Sequence, residues 1–180
     1  MRTWKILAII YYVLALTVTL IPRYWWFVQV GGIMTVQDSP YMLDVNFLNE
    51  RLLLLNLLNA ALTGFRFYMV VMLSYGIYAV LRNKEFIHST FFVVTVFYIL
   101  EPLLFYLVTQ VLQLLNVTHP EYSPIFIGTT TMTVTAQNAV AVLTVSFYPM
   151  KLYWFALASA VFYPFARLSL YLERRGRARH

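Results

Sequence analysis

The chain has 180 residues, of which 61% are hydrophobic and only 11% are charged, with a formal net charge of +6. This composition is more apolar than that of soluble globular domains and predicts an integral membrane protein. The basic residues lie at the ends of apolar runs and do not form a patch among aromatic residues, which argues against nucleic acid as a partner. The chain contains no cysteine, so disulfides, thiolate metal sites and cysteine nucleophiles are excluded.

The first apolar segment, residues 5–22, predicts a transmembrane helix. It follows the basic residues Arg2 and Lys5 and ends at Pro22. A cleaved signal peptide has a similar layout. No small-residue cleavage site precedes the aromatic residues 24–26, so we expect this segment to be retained as the first helix.

Residues 23–50 predict an ordered loop on the outer side of the membrane. Two β-prone runs flank the pair Gly31 and Gly32. Glycine supplies the positive φ that tight hairpin turns require, so this pattern predicts a β-hairpin.

The second predicted helix, residues 51–82, carries a polar seam that begins just before it. At 100° per residue, the seam residues fall within about a third of the helix circumference. They are Asn49, Asn56, Asn59, Thr63 and Ser74, together with Arg66. Polar groups in a bilayer must contact protein or water, so we expect the seam to face inward. The seam would either form hydrogen bonds with other helices or line the wall of a polar path.

The third predicted helix, residues 86–115, has one charge, Glu101, close to its midpoint. Pro102 follows it and cannot donate a hydrogen bond to the carbonyl of Tyr98, which predicts a kink and a carbonyl that needs another partner. Arg66 lies near the middle of the second apolar run. If helices two and three are adjacent and antiparallel, Arg66 and Glu101 reach one depth and form an intramembrane ion pair.

Residues 116–150 allow two interpretations. They contain either a fifth transmembrane helix or a second β-hairpin with its turn at Gln137 and Asn138. Residues 151–172 predict the last transmembrane helix.

With four spans, most of the lysine and arginine residues outside the membrane lie on the side of both termini, and the positive-inside rule then places that side in the cytoplasm. Both β-prone loops would share the outer face and could pair into one sheet.

The resulting prediction is an all-α integral membrane protein, a four-helix transmembrane bundle with small outer β-hairpin elements. It forms a single membrane domain over residues 1–180. The predicted localisation is the cell membrane, with several spans and both termini cytoplasmic.

Catalytic and metal-binding patterns are not found in the sequence. His88, His119 and His180 are too far apart for a haem or a zinc site, so we predict no catalytic residue, no metal and no cofactor. Three function classes remain. The first is a structural or accessory subunit of a larger membrane complex, with other membrane protein subunits and the lipid bilayer as partners. The sequence features that favour this class include the small residues Ala156 and Ala160, which lie four positions apart on the last helix.

The second class is a small transporter or channel component with a polar path around Arg66 and Glu101. The third is a membrane enzyme that acts on a lipid or a quinone. The sequence favours the first class, because no chemistry-bearing cluster is present.

Overall fold

The structure is a computed structural model that describes residues 2–48, 50–51, 54–85, 87–114, 119–122, 125, 127–136 and 139–177. The helices are α1 (Thr3–Leu20), α2 (Leu54–Leu81), α3 (Thr90–Phe97), α4 (Glu101–Leu114), α5 (Lys151–Ala160) and α6 (Phe162–Arg177). The strands are β1 (Trp26–Val30), β2 (Met34–Ser39), β3 (Met42–Phe47), β4 (Glu50–Arg51), β5 (His119–Tyr122), β6 (Gly128–Ala136) and β7 (Ala139–Pro149).

Four helical segments of the described chain are long and apolar enough to cross a membrane. They are Thr3–Leu20, Leu55–Leu81, Thr90–Val108 and Lys151–Gly176. Their positions agree with the four predicted spans, although the last one continues beyond residue 172. In that last span, Pro164 removes a backbone donor to Ala160, and the helix is interrupted between α5 and α6 at Val161.

The two predicted outer hairpins join into a single antiparallel sheet. Its strand order is β4-β3-β2-β1-β7-β6-β5, and the five central strands are each five or more residues long. Residues 128–136 and 139–149 are strands and not a fifth span. The expectation of an all-α protein is therefore corrected to a mixed α/β fold. A lone hairpin is marginal in water, whereas pairing β1 with β7 gives each hairpin a further row of backbone hydrogen bonds.

The turn of the first hairpin is also built into the sheet. Gly31 and Gly32 have φ of +53° and +72°, which is the left-handed region that glycine tolerates. A Cβ atom on Gly31 would lie 2.8 Å from Cδ2 of Leu143 on β7. The Gly-Gly pair thus serves both the turn and the close approach of the second hairpin.

Helix α1 is the centre of the bundle. It packs against α2, α5 and α6, whereas α3 packs mainly against α5. Its buried side chains recur at helical spacing along one broad stripe. They are Trp4, Ala8, Tyr11, Tyr12, Ala15, Val18 and Thr19. The helix that packs most closely on α2 is therefore α1. The short connection between α2 and the third span had predicted that the third span would be this neighbour.

The beginning of α1 and the end of α6 lie at one end of the bundle. Arg2 Nε is 3.0 Å from Glu173 Oε1, and Arg174 Nη2 is 2.6 Å from Glu85 Oε2. Lys5 Nζ donates to the side-chain carbonyl of Asn83 in the turn after α2. The sheet lies at the opposite end, as predicted, and contacts the bundle there.

Candidate functional site

A cavity of about 470 Å³ lies between α2, the break that separates α3 from α4, and the inner face of the sheet. We call it the acidic cavity, because two carboxylates, those of Asp38 and Glu101, line it. Its walls are Asp38, Ser39, Leu43, Leu58, Leu62, Phe97, Tyr98, Leu100, Glu101 and Leu104.

The helix break supplies one wall of the acidic cavity. Helix α3 ends at Phe97, a 3₁₀ turn covers Tyr98–Leu100, and α4 begins at Glu101. Pro102 has no backbone N–H, but the N–H of Glu101 donates to the carbonyl of Tyr98. The tighter 3₁₀ geometry thus replaces the hydrogen bond that proline removes, and the expected bare carbonyl is not found.

Asp38 supplies the second carboxylate from strand β2. In the sheet register it pairs with Trp26 on one side and Leu43 on the other, so these side chains share the face towards the helices. Asp38 is only 7% exposed, and its Oδ1 atom has no hydrogen-bond partner. Burial, and then the nearby negative charge of Glu101, raise the pKa of Asp38 to about 8.

Arg66 lies close to the end of α1. Its Nη2 donates to the carbonyl of Ile21 at 3.2 Å, and its guanidinium carbon lies 5.4 Å from the centre of the Tyr41 ring. Ile21 follows directly after α1, whose terminal carbonyls carry partial negative charge. The Nη2 group of the guanidinium therefore has the partially negative end of α1 as its partner, whereas its Nε is buried without a hydrogen bond.

The structure does not bring Arg66 and Glu101 together as an ion pair. In the part of the chain that the structure describes, the ion pairs join Arg2 to Glu173 and Arg174 to Glu85. Helix α2 packs on α1, and Arg66 turns to the α1 terminus, whereas Glu101 faces Asp38. Arg66 and Glu101 lie near the midpoints of their predicted spans, but their side chains do not meet.

The polar seam of α2 divides into two sets. Asn59 faces the protein: its Oδ1 accepts from the N–H of Leu43 at 2.8 Å, and its Nδ2 donates to the carbonyl of Leu43 at 2.6 Å. Asn56, Thr63 and Ser74 are exposed on the surface of the chain. Asn49 lies outside the described residues.

The exposed part of the seam belongs to a stripe that we call the open face of α2. Its members recur at three- and four-residue spacing and are all exposed. They are Asn56, Ala60, Thr63, Gly64, Phe67, Val71, Ser74 and Tyr78. Gly64 is so open that a Cβ atom built there meets no atom within 4 Å. The small residues chosen from sequence, Ala156 and Ala160, are instead buried inside the bundle.

Sequence reasoning missed two features of these sites. Ala60 and Gly64 were visible as a small-residue pair four positions apart, but Ala156 and Ala160 showed the same spacing. Asp38 was visible as an acid after the hairpin, but its burial depends on how the sheet packs against the helices. Within the described ranges, no group of three histidine or acidic residues is placed to hold a metal ion.

The four candidate spans, with a sheet at one end, indicate a multi-pass membrane protein. No family model, curated protein or solved structure matches this chain.

Proposed function

We propose that this protein is a structural or accessory subunit of a larger membrane complex. The observation that carries the proposal is the open face of α2. It places small and polar residues on the side of a candidate membrane-spanning helix that faces away from the rest of the chain. Ala60 and Gly64 are exposed at its sheet-side half, and Ser74 is exposed in its other half.

Lipid tails cannot form hydrogen bonds with the polar side chains of the open face of α2. In a bilayer, polar side chains are costly unless they contact protein or water. The hydroxyl of Thr63 donates to the carbonyl of Asn59 at 2.7 Å, whereas the side chain of Asn56 is exposed. Helices associate in membranes through close packing at small residues, since lipid tails and leucine side chains are equally apolar. A helix from another subunit, packed along Ala60 and Gly64, would approach the α2 backbone closely and would cover Thr63 and Ser74.

The rest of the membrane-facing surface is suited to lipid. Large apolar side chains such as Phe97, Leu107 and Phe165 are exposed on the other spans. Within the open face of α2, Asn56, Ala60, Thr63 and Gly64 therefore differ from these side chains in size or polarity, whereas Phe67, Val71 and Tyr78 are also large.

We further propose that both termini lie in the cytoplasm and that the sheet lies outside. The support is the positive-inside rule, since Arg2, Lys5, Arg82, Lys84 and Arg174 lie at the end of the bundle that holds the termini. The outer end has fewer basic residues, among them Arg23 and Lys151.

The test is the mass of the tagged chain after extraction from its own membrane in a mild neutral detergent. The expected result is a stoichiometric complex with at least one other membrane protein. Gly64→Leu should release the partner, and thermal unfolding of the isolated chain should be unchanged or slightly shifted to higher temperature, because no atom outside the local helix backbone lies near Gly64. Ala158→Leu, at an exposed small residue of α5, is the matched control and should retain the partner.

Two results would contradict the proposal. A monomeric wild-type chain in mild detergent would show that lipid covers the open face of α2. A discrete homo-oligomer without other proteins would instead favour a small transporter or channel.

A further inference from the structure

The acidic cavity is lined by two chemically different kinds of side chain. The carboxylates of Asp38 and Glu101 line it together with leucine side chains, among them Leu58, Leu62 and Leu104. This combination is complementary to an amphiphilic molecule with one positive charge.

No cation in the described part of the chain forms an ion pair with Asp38, whose carboxylate accepts a hydrogen bond from its own backbone N–H. Its Oδ1 is buried and lacks a hydrogen-bond donor. Leaving a buried polar group unpaired costs free energy, and the cost is greater when the group is ionised. A second carboxylate nearby adds repulsion and no compensation.

The neighbouring polar groups form no ion pair with Asp38. The indole N–H groups of Trp25 and Trp26 are buried without a hydrogen-bond partner, as is Nε of Arg66, but the indoles are neutral. The hydroxyl of Ser39 lies 3.3 Å from the carbonyl of Met42 and 3.3 Å from the backbone nitrogen of Tyr41. Arg66 donates to Ile21 and lies over the Tyr41 ring. Tyr98 also lines the cavity, but it is a phenol and supplies no positive charge. A cation that pairs with the ionised carboxylate of Asp38 would therefore come from outside these groups.

We propose that the acidic cavity binds an amphiphilic organic monocation. Its ammonium group lies between the carboxylates of Asp38 and Glu101, and its hydrocarbon part lies along Leu58, Leu62 and Leu104. A volume of about 470 Å³ is typical of a small-molecule pocket, and the mostly apolar lining is as well. A hard divalent cation is a poorer fit, because it requires six or more oxygen ligands. This inference is independent of the proposed role as a subunit.

The test is calorimetric titration of the full chain in a neutral detergent at pH 9 with hexylammonium chloride. At this pH the Asp38 carboxyl is ionised, and the alkylammonium is still protonated, as a lysine side chain is. Saturable binding is expected. Hexan-1-ol and hexanoate, which have the same chain length without the positive charge, should bind at least tenfold more weakly.

Variants assign the binding to the cavity. Asp38→Asn keeps the size of the side chain and removes its charge, and Glu101→Gln does the same for the second carboxylate. Each should weaken hexylammonium binding at least tenfold, whereas Asp44→Asn on the other face of β3 should leave it unchanged. Leu104→Trp keeps both carboxylates but fills space beside the leucine side chains, so it should weaken hexylammonium more than methylammonium.

Several results would overturn the proposal. One is the absence of saturable binding to the folded wild-type chain at pH 9. Another is equal binding of hexan-1-ol, and a third is unchanged binding in folded Asp38→Asn. Full competition by millimolar sodium chloride would show a site for an inorganic ion and would also overturn it.

Discussion

The guanidinium of Arg66 donates a hydrogen bond to the backbone carbonyl of Ile21, the residue that directly follows α1. A cation at a helix C-terminus is stabilised by the helix dipole, and the ring of Tyr41 adds a cation–π contact. Arg66 therefore connects α2 to the end of the central helix.

Replacing Arg66 with methionine should remove this connection. We expect Arg66→Met to lower the free energy of unfolding by about 1–3 kcal/mol, the range for a hydrogen bond to a charged group. The measurement is denaturant unfolding in detergent. Arg82→Met is the control, because Arg82 also lies over a tyrosine ring but is exposed, and its loss should cost less than about 1 kcal/mol.

The same measurement tests whether Arg66 and Glu101 interact. Because they form no ion pair, the effects of Arg66→Met and Glu101→Gln should add in the double variant to within about 0.5 kcal/mol. A coupling free energy above about 1 kcal/mol would mean that the two charges meet after all.

Asn59 should contribute more to stability than its place in a polar seam indicates. Its side-chain amide bonds both the N–H and the carbonyl of Leu43, so it acts as one further backbone partner for strand β3. Asn59→Leu leaves both groups unpaired and should destabilise the protein by about 2–4 kcal/mol. Asn56→Leu, one turn earlier and exposed, should stay within about 0.5 kcal/mol of wild type. Equal effects of the two changes on the unfolding free energy would argue against this contact.

Gly76 should be essential for the contact of α1 with α2. A Cβ atom on Gly76 would lie 2.4 Å from the ring of Tyr12, whose hydroxyl accepts a hydrogen bond from the N–H of His88. Gly76→Ala should therefore cost about 1–3 kcal/mol through overpacking, as measured by thermal unfolding. Gly64→Ala, on the same helix but without neighbours, should be neutral or stabilising by up to about 1 kcal/mol. A neutral Gly76→Ala would show that α1 and α2 pack less closely.

The carboxyl of Asp38 should make the stability of the protein depend on pH. Burial, with Glu101, raises its folded-state pKa from 3.8 to about 8, so the folded state binds a proton that the unfolded state releases. Stability should therefore fall as the pH rises from about 4 to about 8, by up to about 1.4 kcal/mol per pH unit, and level off above pH 8. Asp38→Asn should remove this slope, and Asp44→Asn should keep it. A slope that persists in Asp38→Asn would assign the titration to another group.

The proposed orientation can be tested with single cysteines, since the chain has none of its own. Lys84→Cys lies in the turn after α2, and Thr131→Cys lies on the exposed face of β6. An impermeant thiol reagent should label Thr131→Cys in intact cells and Lys84→Cys only after the membrane is opened. The reverse result would invert the orientation, and labelling of both from one side would contradict the placement of the sheet opposite the termini.

The amino-acid sequence alone determined the four candidate spans and the two hairpins. These features depend on local properties: the length of each apolar run matches the bilayer, and Gly31 and Gly32 permit a hairpin turn. The choice of four spans over five also followed from the sequence, because lysine and arginine act on topology through their number on each side. The pairing of the two hairpins could be stated from sequence only as an option, since the strands that meet, β1 and β7, are far apart along the chain.

Only the tertiary structure decided which polar groups meet. Arg66 and Glu101 lie close to the midpoints of their predicted spans, but the sequence does not specify how each helix is rotated or which helices are its neighbours. Packing α2 against α1 turned Arg66 towards Ile21, and the sheet brought Asp38 to Glu101. The division of the α2 seam has the same origin, because a rotation of about 60° around the helix separates the half-buried Asn59 from the exposed Asn56. Side-chain pairing depends on such rotations, and they are set by close packing across the whole bundle.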